Sequence, residues 1–514
     1  MSCKSYKHWL VMLVGLAVMT GGTTGSLWAQ FGGGAPSSSG GPFAIPGDGD
    51  HPYFAGADDV FAIRAGRLFD GTSDAMTYAL DQIILIRGTD IVEIGPDVDI
   101  PSGATVIDLS DSTVLPGMID THVHIMGNGS VATQWINGVQ SAEMALNAGF
   151  TVMVDQGSRD TLPWATIELR NAIMDGVLLG PRFQVTGPVV NPRGGTVGAL
   201  PDFYGGYNDL DLPGDRLEVR GADAARHAVR LLKIMGADWV KVYSTWDVNA
   251  PRGDMFEHYP GDTRYQIDNV ASVDGDSDAM LGLPAMTDEE FDAVADEARR
   301  MGIVSTCHTY GIGAGADGCV NAGFDVPMHM MDADHDPALI QNIVSRGTSV
   351  QLSWNDAWGG RRNVSTRAVF RVLHEQGVAL PFASATQGNT WTSRVTNVRP
   401  DGTSGSIGEG ANMFPIFVEE GMSEAESLNT AFMVAARDLN YDWESRLGSL
   451  ETGKLADIIA VPGDPLDDIS EMMNVQFVMR GGVVIRNDLT DNAPGVFETR
   501  ASVLNGAALP LNDR

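Results

Sequence analysis

The sequence predicts an α/β fold: a parallel β/α region of the kind that closes into a (β/α)8 TIM-type barrel, beside a small β-sandwich domain built from both chain ends. Three observations carry this. Residues 116–445 alternate short apolar runs with helical patterns, as parallel strands joined by helices require. FAIRAGRLFDG, QIILIRGTDIVEIG and ATVIDLSDSTVL precede that region as short strands broken by Gly and Asp turns, and LADIIAVPGD and VQFVMRGGVVIRN repeat the texture after it. Finally, 514 residues are too many for one small core, so a large barrel with an attachment fits the length.

The elements follow in order. Residues 1–29 carry Lys4 and Lys7, an apolar run from Trp9 to Met19 and a small-residue stretch ending near Ala29, which reads as a secretory signal peptide. Leu27 is bulky for a position three before a cut, and an uncleaved membrane anchor is the alternative. Residues 30–57 contain FGGGAPSSSGGPFAIPGDG, a tract unable to bury enough apolar surface to order itself, hence a flexible linker. The sheet domain is assigned to 58–115 and 446–492, the second part including a hairpin about Gly481-Gly482, and 493–514 form a C-terminal tail. Within the middle region, TDEEFDAVADEARRMGIVSTCH is the clearest β/α unit. Thr287 and Glu290 make a capping box, Phe291, Val294, Ala295 and Ala298 fall at helical spacing, and Gly302 caps the end. Ile303 to Cys307 then form the next strand, with His308 at its C-terminal end, the face on which such barrels build active sites. A long Asp- and Gly-rich insertion between Ser244 and Leu283 follows another strand and reads as a lid.

A hydrophobic share of 43% with 19% charged residues fits a folded globular protein, and a net charge of −33 argues against nucleic acid or an anionic membrane as partner. The balance suits a solvated, secreted or periplasmic protein acting on a small molecule. Cys307 and Cys319 remain after signal removal; an oxidising compartment permits a bond between them without requiring one.

LPGMIDTHVH places His122 and His124 on one face of a strand, about 7 Å apart along the chain, close enough to grip one ion. The chain has only five lysines, and Lys241 lies inside the apolar strand pattern ADWVKVYS. Burial there demands that the charge be removed or paired, so Lys241 is either a carbamate able to bridge two metal ions or a residue of the strand's exposed end, bound to an acid. His308 ends IVSTCH and His329 ends FDVPMH. Four histidines and one lysine, each at the end of a candidate strand, form a metal-site constellation.

These landmarks, LPGMIDTHVH, WVKVYS, VSTCHTYG, AGFDVPMH and LGSLETGKLADIIAVPGDPL, resemble the amidohydrolase superfamily, on its prolidase-like and imidazolonepropionase-like branch of metal-dependent hydrolases, from about residue 60 to 488. The resemblance implies a (β/α)8 barrel beside a β-sandwich and a centre of two divalent ions, usually zinc. His122 and His124 would hold one ion, carbamylated Lys241 would bridge, and His308 and His329 would hold the second. A hydroxide bridging the ions would attack a carbonyl in a C–N or lactone C–O bond, as in a dipeptide or cyclic amide. Single-metal deaminase chemistry fits less well, because those relatives lack the strand lysine.

The family also expects an aspartate at the end of the eighth strand, as metal ligand and proton acceptor. In GVALPFASATQGN, Ala383, Ser384 and Ala385 occupy the corresponding triplet, and Ala385 has neither lone pair nor basic site. Met328 likewise replaces a glutamate that commonly precedes the histidine at the position of His329. Three readings stay open: a carboxylate such as Asp356, Asp401 or Glu409 fills the role; the two ions work with weakened proton transfer; or the fold binds a ligand without turnover. Arg193, Arg361, Arg362 and Arg394 are candidates to clamp a substrate carboxylate, and Tyr243 and Ser244, next to Lys241, are candidate substrate contacts. No stretch argues for a particular oligomer.

Overall fold

The computed structural model describes residues 53–72, 76–127, 130–157, 164–192, 217–246, 283–284, 286–309, 314–353, 361–388, 407 and 409–496. The signal segment, most of the linker, most of the long insertion, Arg193, Asp356, Arg394, Asp401 and the tail from residue 497 lie outside the described residues, as do the side chains of Arg361 and Arg362.

The chain ends meet in one sheet. Strands β1 (Val60–Leu68), β2 (Ala79–Arg87), β3 (Asp90–Gly95) and β4 (Thr105–Pro116) open it. After the middle strands, described next, β16 (Ile458–Val461), β17 (Phe477–Arg480) and β18 (Val483–Asn487) complete it in the order β18-β17-β16-β4-β1-β2-β3. Alternation along these strands sends Ile63, Ile84, Ile107, Ile458 and Phe477 into one apolar cluster and Ala62, Ile83, Leu85 and Val98 into another. The expected sandwich is thus represented, among the described residues, by a single continuous ladder with an apolar cluster on each face.

β4 runs through Pro116 and Gly117 into β5 (Met118–His124), followed by β6 (Phe150–Asp155), β7 (Arg182–Val185), β8 (Val190–Pro192), β9 (Leu217–Val219) and β10 (Trp239–Tyr243). The short pair β11 (Thr245–Trp246) and β12 (Leu283–Pro284) precedes β13 (Val304–His308), β14 (Val326–Met328) and β15 (Thr386–Gln387). β15, β5, β6 and β7 form one parallel sheet; β14, β13, β10, β8 and β9 form a second. Further backbone bonds run between them: Asp238 N donates to Val185 O at 2.8 Å, Gln351 N to Pro327 O at 3.0 Å, Val350 N to Ala379 O at 3.0 Å and Thr121 N to Phe382 O at 2.9 Å. The strands are buried on both sides, which is why they read as apolar runs and not as alternations.

Helices pack outside. The helix Asp288–Met301 begins with the expected capping box, Glu290 N donating to Thr287 Oγ1 at 3.3 Å and Thr287 N to Glu290 Oε2 at 2.9 Å, and ends at Gly302. Its buried Phe291 meets Phe324 edge-on, a contact that adds roughly 1 kcal/mol beyond area burial. Cys307 on β13 is bonded to Cys319 on the helix Ala314–Ala322, with 6.5 Å between their Cα atoms, fastening that helix to the strand that carries His308.

Candidate metal centre

The four histidines come together at the C-terminal ends of β5, β13 and β14, with His124 at the edge, and Lys241 lies on β10 alongside β13. His122 is fully buried, Lys241, His308 and His329 are buried, and His124 is half-buried. Ring centroids lie 5.2 Å apart for His122 and His124, 5.4 Å for His122 and His329, and 4.3 Å for His308 and His329. Register explains the grouping. β10 pairs with β13 so that Lys241 lies beside Thr306 and Tyr243 beside His308, and β13 pairs with β14 so that His308 lies beside Met328, just before His329.

The contacts of the rings are specific. His124 Nδ1 bonds the carbonyl of Gly157, and His122 Nδ1 lies 2.9 Å from Ser353 Oγ. His329 Nε2 is 3.0 Å from His308 Nδ1, near the ~3.3 Å separation of two nitrogens that share a tetrahedral ion. Tyr243 stacks at a tilt on His308 with 4.5 Å between centroids, and Lys241 Nζ stands 5.9 Å over the Tyr243 ring. Ser244, offered by the sequence as a substrate contact, instead donates its hydroxyl to His308 O at 2.8 Å and braces that strand end. Among the described residues, no group of three His, Cys, Asp or Glu side chains is drawn together as a ready-made metal cage. The donor set nevertheless fits divalent zinc by its chemistry: four imidazoles, with Nδ1 of His122 and His124 engaged by Ser353 and Gly157, beside a buried lysine.

Ala385 lies beside the end of β5. Its N–H donates to His122 O at 2.7 Å, and Thr386 and Gln387 pair with Val123 and His124. Of the carboxylates proposed to replace it, Glu409 is exposed, and Asp356 and Asp401 lie outside the described residues. The sequence reading did not single out Asp120. This fully buried carboxylate accepts from Ser384 Oγ at 2.5 Å, Ser384 N at 3.0 Å and His122 N at 3.1 Å, clasping the end of β5 to the residue before Ala385. Burial pushes its pKa up to about 7, against the lowering effect of Ser384 and of the His122 amide. Asp155, at the end of β6, was also missed; its oxygens accept from Ile125 N at 2.8 Å and Gly157 N at 3.0 Å. Both had a visible signal: an acid ending or interrupting an otherwise apolar strand, as in MIDTHVH and FTVMVD.

Comparison with known proteins decides the family. The model of the amidohydrolase family matches residues 113–253 and 279–485, more than half of the chain. The chain belongs to the amidohydrolase family. Members of this family act as hydrolases and generally bind divalent metals. An imidazolonepropionase of Klebsiella pneumoniae is 30% identical over 165 residues, covering 31% of this chain and 36% of that protein. The match to an allantoinase of Streptomyces avermitilis, 35% over 71 residues, covers 14% of this chain and 16% of that protein, so these two alignments span well under two thirds of their relatives. The ochratoxinase of Aspergillus niger is 23% identical over 455 residues, 83% of this chain and 87% of its own length. Among solved structures, a Xaa-Pro dipeptidase with methionine in its active site superposes with a TM-score of 0.65 at 26% identity, covering 84% of this chain and 100% of that one. The A. niger ochratoxinase structure gives a TM-score of 0.65 at 19% identity, covering 85% of this chain and 99% of its own, a likeness of fold alone.

Proposed function

We propose that this amidohydrolase is a secreted, metal-dependent hydrolase of C–N or lactone C–O bonds in small molecules, with a dipeptide or cyclic amide as substrate class. The carrying observation is the convergence of His122, His124, His308 and His329 with buried Lys241 at one end of the parallel strands. The backbone bonds that join the two parallel sheets support a closed eight-stranded barrel, which would make that end its catalytic face.

Two divalent ions, zinc by donor type, would be held by His122 and His124 on one side and His308 and His329 on the other, with carbamylated Lys241 between them. Bound there, they would lower the pKa of water toward neutrality and polarise a carbonyl. The chain's own groups hold Nδ1 of His122 and His124, shield the centre with Tyr243, and leave Arg193 as a candidate for a substrate carboxylate. Ala385 supplies no base, so proton transfer would fall to solvent, to substrate or to a carboxylate such as Asp356, Asp401 or Glu409.

That same residue supports a second reading, a binding protein on a catalytically impaired scaffold. Elemental analysis of protein expressed with bicarbonate tests the first: two transition-metal equivalents per chain are expected, about one would mean that the missing aspartate costs an ion, and none would overturn the proposal. Ala385→Asp separates the readings, because a hydrolase adapted to alanine gains little whereas a silent scaffold with its metals in place acquires turnover.

A further inference from the structure

We infer that Asp155 and Gly157 are positioning residues that fix the tautomer and aim of His124, an inference resting on the reading of His124 as a metal ligand. Asp155 is fully buried at the end of β6, and its two oxygens are divided between two turns. Oδ2 takes the N–H of Ile125, the residue after His124, and Oδ1 takes the N–H of Gly157. One carboxylate therefore locks the exit of β5 to the exit of β6. Hydrogen bonds from two backbone amides are of the charge-assisted kind, roughly twice as strong as neutral ones.

Gly157 converts that lock into an orientation. Its φ is +91°, and a Cβ on it would lie 2.8 Å from Val189 Cγ2, so no other residue fits without movement. In this conformation its carbonyl meets His124 Nδ1. A carbonyl oxygen only accepts, so the proton of the neutral ring must sit on Nδ1, and Nε2 is left with the lone pair that a metal requires. The partner of His122 does not dictate this, because the Ser353 hydroxyl can donate or accept. His124 is also the least enclosed of the four rings, the one that packing alone holds least firmly.

Nitrogen NMR of metal-free protein labelled at histidine, at pH 8, tests the device without metal or substrate, the His124 signals being assigned by their loss in His124→Gln. The expected result is the Nδ1–H tautomer for His124 in the wild type and a shift toward the Nε2–H form in both Asp155→Asn and Gly157→Ala. The control is Asp438→Asn, a carboxylate at the other end of the strands, which should leave the tautomer alone. Zinc titration against a chelator should show one equivalent weakened by about 10–100-fold in the two variants and not in the control. An Nε2–H His124 in the wild type, or a tautomer that neither variant changes, overturns the inference. The expected tautomers in a wild type that binds no zinc would instead overturn the metal reading and uphold the positioning.

Discussion

Both ends of the parallel strands use left-handed backbone, mostly at glycine, and they differ in which other residues adopt it. Where helices return to the starts of strands, glycine is used: Gly302 at φ +63° before β13 and Gly347 at φ +64° before residues 350–352. At the opposite end Gly127, Gly157 and Gly187 do the same after β5, β6 and β7, but His329 at +66°, Met330 at +46° and Ala385 at +50° are left-handed as well. Glycine adopts such angles without steric penalty, whereas other residues lose roughly 1–2 kcal/mol each. The charged groups divide the same way. At the starts of the strands acids meet arginines, as in Asp238 with Arg170 at 2.6 Å and Asp457 with Arg182. At their ends the polar groups are imidazoles, a lysine and carboxylates bonded to amides and hydroxyls. One end is built to hold the fold; the other accepts strain so that particular side chains occupy particular places.

The largest effect should come from His329→Gly, which sets the two halves of this contrast against each other. Removing the ring should lower metal affinity and hydrolysis by more than the ~100-fold typical of losing an outer partner of a ligand. Relief of the strain and the unfolded-state entropy of glycine should nearly cancel, leaving the metal-free protein within about 1 kcal/mol of the wild type. Metal titration and thermal melting after chelation read the two separately, and a metal-free variant that melts earlier would show that His329 serves packing more than function.

Next is Asp457, 5% exposed in its side chain, which pairs with Arg182 and accepts from Gly481 N at 2.7 Å, joining the end-built sheet to the start of β7. Asp457→Ala leaves Arg182 and the neighbouring buried Arg480 uncompensated and should cost about 3–5 kcal/mol in denaturant unfolding. Below its melting point the variant should retain the wild-type complement of metal. A lost metal equivalent at full folding would mean that the two ends are coupled.

Asp438 provides a pH test at the same end. Its carboxyl accepts from Ser349 Oγ at 2.6 Å, while Oδ2 is shut off from solvent with no hydrogen-bond partner, and burial pushes its pKa up to about 7 despite the hydroxyl. A raised acid binds its proton more tightly folded than unfolded, so stability falls as pH rises from about 4 through about 7 and the penalty is fully present above that. At roughly 1.4 kcal/mol per pK unit the wild type should gain a few kcal/mol on acidification across this window from this group. Asp438→Asn should flatten that part of the profile and match or exceed the wild type at pH 7.5; an unchanged profile would mean that the carboxyl is solvated.

What the sequence made legible follows from locality. A capping box needs only Thr287 and Glu290 three residues apart, and a strand-end histidine such as His308 needs only an apolar run before it, so both are found where they were expected. The candidate set could be assembled because its members lie on or just after neighbouring strands, His122 and His124 on β5, Lys241 on β10, His308 at the end of β13 and His329 just after β14, and parallel register brings them together. Asp120 and Asp155 stand out in sequence as acids in apolar strands, but their roles do not, because their partners, Ser384 and Ile125, lie 264 and 30 residues away and are chosen by the packing of strands. Ser384 looked like one letter of a degenerate triplet, yet it is the hydroxyl that meets a buried acid. The Cys307–Cys319 bond was likewise only permitted by its spacing; it forms because the helix after β13 turns back onto that strand.

The smallest effect tests the premise that left-handed backbone costs more at His329 and Ala385 than at glycines such as Gly302. Gly302 has no atom within 4 Å of where a Cβ would stand, so Gly302→Ala changes conformational strain without a clash and should destabilise by about 1 kcal/mol. Ala385→Gly is the reverse exchange. It relieves the strain at φ +50° but adds unfolded-state entropy of similar size, so the two should nearly cancel and unfolding free energy should move by no more than about 0.5 kcal/mol. Parallel denaturant titrations compare them. A neutral Gly302→Ala would mean that left-handed alanine is tolerated freely in this fold, and the angles at His329 and Ala385 would then carry no information about function. A loss at Gly302 beside near-neutrality at Ala385 would place the conformational cost at the end of the strands where the histidines gather.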